Sequence, residues 1–210
     1  MLEWKDLKEA ELGQTFDSND LKECCTGVYG AISWPAKRPG FAVVVAMKSF
    51  ETFGRQRYEV CLLDEVESAD MWELIERCTG LDLKYDPSEW IGDNENSAAD
   101  RIMQEMSSDS KLRTFSLTPA SIASMDRPYQ YMLQSLRRML REDGRTLFLK
   151  DSKSLEYLRE IEDGAEVELE LGEFPSVEAL AFAALEGKEH TEDMTLEEIH
   201  ELQRKHGMCD

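Results

Sequence analysis

Carboxylates are the side chains with the clearest capacity for chemistry in this sequence, and Glu178 is the most conspicuous of them. It is the only charged residue between Glu173 and Glu186, within a stretch predicted to be helical over 177–185. Burying an isolated carboxylate is costly unless it is paired, protonated or bound to a metal ion. Glu178 is therefore either a buried functional group or a carboxylate in the first helical turn, where the helix dipole favours it and water reaches it.

Two further acidic positions lie at the ends of predicted strands. Asp93 follows the short predicted strand at 90–91, and ligands of parallel sheets bind at the carboxyl ends of the strands. Asp64 lies with Glu65 and Glu67 at the end of the third predicted strand. Acidic clusters also arise by chance in a chain with 44 Asp and Glu residues, so a solvated strand end is the alternative interpretation of Asp64.

A basic cluster accompanies the clearest helical pattern of the chain. Apolar residues recur at i, i+3, i+4 and i+7 from Tyr129 to Leu140, which predicts an amphipathic helix against a core. Arginines on or just after this helix could contact phosphates of a nucleic acid. The alternative is a solvated helix face that forms ion pairs with neighbouring acids. The arginines concerned are Arg137, Arg138, Arg141 and Arg145.

Several familiar sites are not predicted. The sequence contains no P-loop motif, so no nucleotide partner is expected. The histidines lie near the end of the sequence, and His200 and His206 fall on roughly opposite faces of a predicted helix, which disfavours a shared zinc ion. They are interpreted as surface histidines.

Composition restricts the class of protein further. The 210 residues carry a formal net charge of −20, which argues against a protein whose whole surface binds nucleic acid or an anionic membrane. No apolar run approaches the ~18 residues of a membrane span, and the first residues lack the features of a signal peptide. The five cysteines form no CxxC pair. We expect a cytoplasmic protein with free thiols and no membrane partner.

The elements that must position these residues follow a simple order. Three strands at about 28–32, 41–47 and 58–67 form a meander, and later strands alternate with helices, including a helix from the N-cap Asp70 to a stop at Gly80. This order predicts an α/β domain whose mixed sheet is antiparallel at one end and parallel at the other, flanked by helices.

The predicted domain organisation has three parts. An acidic extension covers residues 1–25, the α/β domain covers 26–187, and residues 188–210 form a linker and an amphipathic helix with a capping box. Further elements expected within the domain are a helix over 98–106 and a strand over 166–171.

The order of elements and the stretch from Val177 to Ala183 (VEALAFA) resemble the RNase H-like fold, in particular the nuclease domain of phage large terminases. The resemblance implies carboxylates on the first strand, at the end of the fourth strand and in the last core helix. Together they would hold two Mg²⁺ or Mn²⁺ ions about 3.5–4 Å apart, which activate water. Asp93 matches the fourth-strand position and Glu178 the last-helix position.

The first-strand position of that pattern falls at Ser33, which is not acidic. A neutral hydroxyl contributes no charge to offset the dehydration of a divalent cation. Two interpretations remain open. Either a neighbour such as Asp64 supplies the missing metal ligand, or the site is degenerate.

Three hypotheses of function follow. The chain is a metal-dependent nuclease with Asp93 and Glu178 as catalytic metal ligands, or a catalytically degenerate relative that acts by binding partners. The alternative from another class is a non-enzymatic acidic adaptor, whose negative field selects a basic protein. In the second case the C-terminal helix, with Leu196, Ile199 and Leu202 on one side, is a candidate docking element for a protein. The alternative is that this helix packs on the core of its own chain.

Overall fold

The computed structural model describes residues 27–52, 55–92, 117–125, 128–141, 147–149, 152–163 and 171–187. Within these ranges the chain forms one six-stranded sheet with helices on both faces. The strands are β1 Gly27–Ser33, β2 Gly40–Thr52, β3 Arg55–Ser68, β4 Glu89–Gly92, β5 Leu117–Pro119 and β6 Leu147–Phe148.

The sheet has the strand order β5-β4-β1-β2-β3-β6. The pairs β1/β2 and β2/β3 are antiparallel, whereas β1/β4, β4/β5 and β3/β6 are parallel. This arrangement confirms the predicted mixed sheet, in which an antiparallel meander precedes the parallel strands. It also places the carboxyl ends of β1 and β4 side by side, because Ile32 pairs with Gly92.

The middle of the sheet is apolar on both faces. Residues Phe41 to Met47 of β2 are all buried, as expected for a β-branched run covered on each side. Alternate residues of this run belong to two separate cores, one on each face of the sheet.

Among the described residues, the two faces of the sheet carry different numbers of helices. The helix α1, Met71–Tyr85, packs on one face, around Ala42, Val44 and Ala46. The opposite face carries three helices that share a larger core: α2, Pro128–Arg141; α3, Lys153–Asp163; and α4, Pro175–Ala181, which widens into a π-helical turn over Phe182–Glu186.

The start of α1 confirms one prediction and its end contradicts another. Asp70 caps the helix, since its side chain accepts a hydrogen bond of 2.9 Å from the Glu73 amide. The predicted stop at Gly80 is wrong. The helix continues because Leu81 and Asp82 are buried against the sheet, and it ends at Asp86, which adopts the left-handed conformation.

Several predicted elements lie outside the described residues. These are the extension over 1–25, the helix over 98–106, most of the strand over 166–171 and the C-terminal helix. Among the described helices, none has the length and apolar character needed to cross a membrane.

Candidate functional site at Glu178

Glu178 lies in the first turn of α4, yet it is only 2% exposed. The interpretation of a wet first-turn carboxylate is therefore wrong, because the helix packs that turn against the sheet. Pro175 begins α4 and suits the first helical position, where no backbone donor is needed. The start of α4 thus carries the carboxylate into the core on the three-helix face.

Three donors converge on this carboxylate. Its Oε1 accepts hydrogen bonds from the Tyr129 hydroxyl of α2 at 2.5 Å and from the Gly172 amide at 2.6 Å. Its Oε2 accepts a hydrogen bond from the hydroxyl of Ser33, the last residue of β1. The Tyr129 hydroxyl also accepts from the Phe174 amide at 2.8 Å, so its own proton is directed to Glu178.

Burial and hydrogen bonding act on Glu178 in opposite directions. Burial raises the pKa of the carboxyl group, the donors lower it, and the net pKa lies above the ordinary value of 4.5. The pKa of Tyr129 is also raised, by burial and then by the charge of Glu178. Because Oε1 already accepts two hydrogen bonds, a proton taken up by Glu178 would reside on Oε2, beside Ser33.

The connection between β1 and β2 covers this network. Gly172 has a φ of 86°, and a Cβ added there would lie 2.7 Å from the Cβ of Ala36 in that connection. Glycine is required at this point, both for the backbone conformation and for the close approach. The approach brings the Gly172 amide to Glu178 and closes the site above it.

Two cations hold the same connection in place. Lys37 forms an ion pair of 2.5 Å with Glu173. Arg38 donates hydrogen bonds of 2.6 and 2.8 Å to the two carboxylate oxygens of Glu160 on α3. The guanidinium of Arg38 also lies 4.3 Å from the centre of the Phe174 ring, a cation–π distance. These contacts tie the connection to α3 and to the segment before α4.

Asp64 lies on the other face of the sheet and is not a partner of Glu178. Its Oδ2 accepts hydrogen bonds from Lys84 at 2.7 Å and from Tyr85 at 3.0 Å, both on α1. Burial raises the pKa of Asp64, but these donors outweigh it and the net pKa is lowered. The sheet itself separates the two carboxylates, so the idea that Asp64 compensates for Ser33 is not supported.

The remaining sequence-predicted residues are only partly described. Asp93 follows Gly92, the end of β4, and lies outside the described residues. Of the four arginines, the side chain of Arg138 is described and is exposed on α2. The structure does not describe the side chains of the other three, Arg137, Arg141 and Arg145.

The sequence does not predict two contacts of buried carboxylates, that of Tyr129 with Glu178 and those of Glu186 with the turn at Ser121. The sequence pattern places Tyr129 on the apolar face of its helix, where its hydroxyl is the one sign of a polar role. Glu186, in the π-helical turn, accepts hydrogen bonds from the Ser121 hydroxyl at 2.9 Å and from the Ile122 amide at 2.8 Å. It thereby caps a 3₁₀ turn over Ser121–Ser124, a role with no local sequence signal.

The described residues do not fit a two-metal centre. They contain no group of three or more His, Cys, Asp or Glu side chains arranged to hold a cation. At Glu178 both carboxylate oxygens already accept hydrogen bonds, and its neighbour Ser33 is neutral. Divalent magnesium and calcium favour several oxygen ligands with carboxylates among them, so this donor set suits hydrogen bonding instead.

The strand order, the strand directions and the helices on both faces define an α/β domain with an RNase H-like fold. Among solved structures, the chain is similar to a mutant nuclease domain of the large terminase subunit of bacterial virus Sf6, solved with manganese and beta-thujaplicinol. The identity is 11%, the TM-score is 0.44, and the match covers 86% of this chain and 97% of that one. No family model and no curated protein matches the sequence.

Proposed function

We propose that this chain is a terminase-nuclease-like domain that does not hydrolyse nucleic acid and that acts by binding. The observation that carries the proposal is the hydrogen bond from Ser33 to Glu178. The resemblance implies charged ligands at these two positions. Here one of them, Ser33, is a neutral hydroxyl, and it donates a hydrogen bond to the other, Glu178.

The hydrogen bonds at Glu178 compensate its buried carboxylate, which a bound cation would otherwise do. Tyr129, Gly172 and Ser33 compensate the buried carboxylate with three donors. A divalent cation placed there would displace these donors and leave them unsatisfied in the interior, where each lost hydrogen bond costs about 1–3 kcal/mol. Among the described residues it would gain one carboxylate in return, that of Glu178, which is a weak ligand set.

The cover over Glu178 supports the same proposal. Hydrolysis of a phosphodiester requires the ligands, the attacking water and the scissile bond to meet within a few ångströms. Glu178 is shielded by the connection that bears Ala36, which Lys37 and Arg38 anchor through ion pairs. A strand of nucleic acid would have to break these contacts before it reached the carboxylate.

A cleavage assay tests the proposal. The full chain is incubated with Mn²⁺ and with single- and double-stranded DNA and RNA, beside Glu178→Gln, Asp93→Asn and the exposed control Glu156→Gln. We expect wild type to cleave no faster than the Glu178→Gln and Asp93→Asn variants. Cleavage that Glu178→Gln or Asp93→Asn abolishes and Glu156→Gln retains, with all variants folded by circular dichroism, would overturn the proposal.

A further inference from the structure

Helix α1 carries an exposed strip of residues, here called the outer strip, that consists of Trp72, Glu76, Gly80 and Leu83. Successive members are three or four residues apart, so they lie on the same side of the helix. The side chain of Trp72 is 45% exposed and that of Leu83 is 65% exposed. Within the described part of the chain, neither Trp72 nor Glu76 forms a hydrogen bond, an ion pair or a ring contact.

The charged residues beside the outer strip differ from it, because they are paired within the chain. Glu73 accepts hydrogen bonds from Arg77 at 2.5 Å and from the Ser68 hydroxyl at 2.6 Å. Lys84 forms an ion pair of 2.7 Å with Asp64. Among the described charges on the exposed side of α1, the carboxylate of Glu76 is therefore the one that no opposite charge of the domain neutralises.

Gly80 lies in the middle of the outer strip without a reason inside the described structure. Glycine is less favourable than alanine in the interior of a helix. The backbone at Gly80 is not left-handed, and a Cβ built there would have no atom within 4 Å outside its own stretch of helix. A missing side chain that no neighbour in the domain requires leaves room for a second backbone to approach α1 closely from outside.

Charge and length decide which kind of partner fits the outer strip. A nucleic acid would be repelled by Glu76 and by the net charge of −20. A second copy of the chain would bring the same net charge and, in a two-fold interface, a second Glu76 carboxylate. The strip spans eleven residues of helix, about 16 Å, which matches three turns of a partner helix laid alongside. Its complement is a cation between two apolar side chains.

We propose that the outer strip of α1 is the docking surface for an amphipathic helix of a basic protein, which carries a Lys or Arg between two apolar residues. The proposal rests on the proposed function, since it names the partner of a domain that acts by binding. The apolar residues of the partner cover Trp72 and Leu83, its cation pairs with Glu76, and its backbone passes over Gly80.

The test uses two labelled helical peptides of about 20 residues, rich in Ala and Gln, and the full chain in EDTA. Both peptides carry two leucines eleven residues apart. The first peptide has lysines four and seven residues after the first leucine, so that one of them meets Glu76 whichever way the helix runs. The second peptide has glutamates at these two positions. Fluorescence anisotropy measures the affinity of each peptide.

We expect the lysine peptide to bind wild type at least about tenfold more tightly than the glutamate peptide. Trp72→Ala should weaken binding of the lysine peptide about tenfold, because an aromatic anchor is lost. Glu76→Lys should reduce the preference for the lysine peptide about tenfold, since a like charge then faces it. Gly80→Ala should raise the unfolding temperature by about 2–4 °C and yet weaken peptide binding, a combination that a purely structural glycine would not give.

The control variant is Tyr131→Ala, which removes an exposed aromatic ring from α2 and should leave the affinity unchanged. The inference is overturned if the lysine peptide does not bind wild type. It is also overturned if Trp72→Ala, Glu76→Lys and Gly80→Ala leave its affinity unchanged, since the acidic surface as a whole would then attract it. EDTA separates this test from the cleavage assay. Cleavage in Mn²⁺ that Trp72→Ala retains, together with loss of peptide binding in that variant, would overturn the proposed function and leave this surface standing.

Discussion

Glu178 and Asp64 lie on opposite faces of one sheet, and their carboxylates are stabilised in different ways. Glu178 is compensated by neutral donors in a fully buried position, and its pKa is raised. Asp64 accepts a hydrogen bond from the Lys84 ammonium group at 2.7 Å at a partly exposed position, and its pKa is lowered. The comparison shows that the partner and the depth of burial, more than the residue type, decide the protonation behaviour.

The difference between the two sites follows from how many of the described helices cover each face of the sheet. On the three-helix face, α2, α4 and the connection after β1 all contribute to the enclosure of Glu178. On the other face α1 supplies both donors to Oδ2 of Asp64, and the Lys84 side chain remains 59% exposed. Glu178 therefore connects several elements in the interior of the domain. Asp64 connects β3 to α1 alone, at a position that water reaches.

The largest effect is expected from removing each carboxylate. Glu178→Ala leaves three buried donors without an acceptor and should lower the free energy of unfolding by about 3–5 kcal/mol. Asp64→Ala breaks a partly exposed ion pair and should cost about 1 kcal/mol or less. Urea unfolding at pH 7 measures both. Equal losses of unfolding free energy in the two variants would contradict the comparison. If Glu178→Ala does not fold, Glu178→Gln replaces it, with an expected loss of about 1–2 kcal/mol.

The pH dependence of the two sites should have opposite signs. The raised pKa of Glu178 means that wild type is most favoured over Glu178→Gln below pH 4.5 and loses that advantage as the pH rises through the folded pKa. The lowered pKa of Asp64 means that the advantage over Asp64→Asn is present above pH 3.8 and is lost as the pH falls. Unfolding free energies of the two wild type and variant pairs, measured from pH 3 to 7, check both trends. Parallel trends for the two pairs would disprove the assignment.

The sheet was predictable where the sequence pattern is local. The uninterrupted run from Phe41 to Met47 predicts a doubly covered strand, and the Asp70 cap fixes the start of α1. The end of α1 was not predictable from Gly80, because burial of Leu81 and Asp82 outweighs the helix-breaking tendency of glycine. Tertiary packing decides such boundaries.

The candidate site was predictable only in part, for the same reason. The isolation of Glu178 in an apolar helix marks it as unusual, and the resemblance directs attention to Ser33. Their hydrogen bond spans 145 residues, and the one from Tyr129 spans 49, so no local spacing reveals either contact. The position of Gly172 depends equally on a distant neighbour, Ala36.

The central claim is that hydrogen bonds at Glu178 stand in place of a metal site, and thermal unfolding with and without Mn²⁺ tests it most directly. Wild type should unfold at the same temperature in Mn²⁺ and in EDTA. Ser33→Asp, which brings a second carboxylate to Glu178, should be destabilised in EDTA and stabilised by Mn²⁺, whereas Ser33→Asn should not respond. A rise in the unfolding temperature of wild type with Mn²⁺ that Glu178→Gln abolishes would contradict the claim.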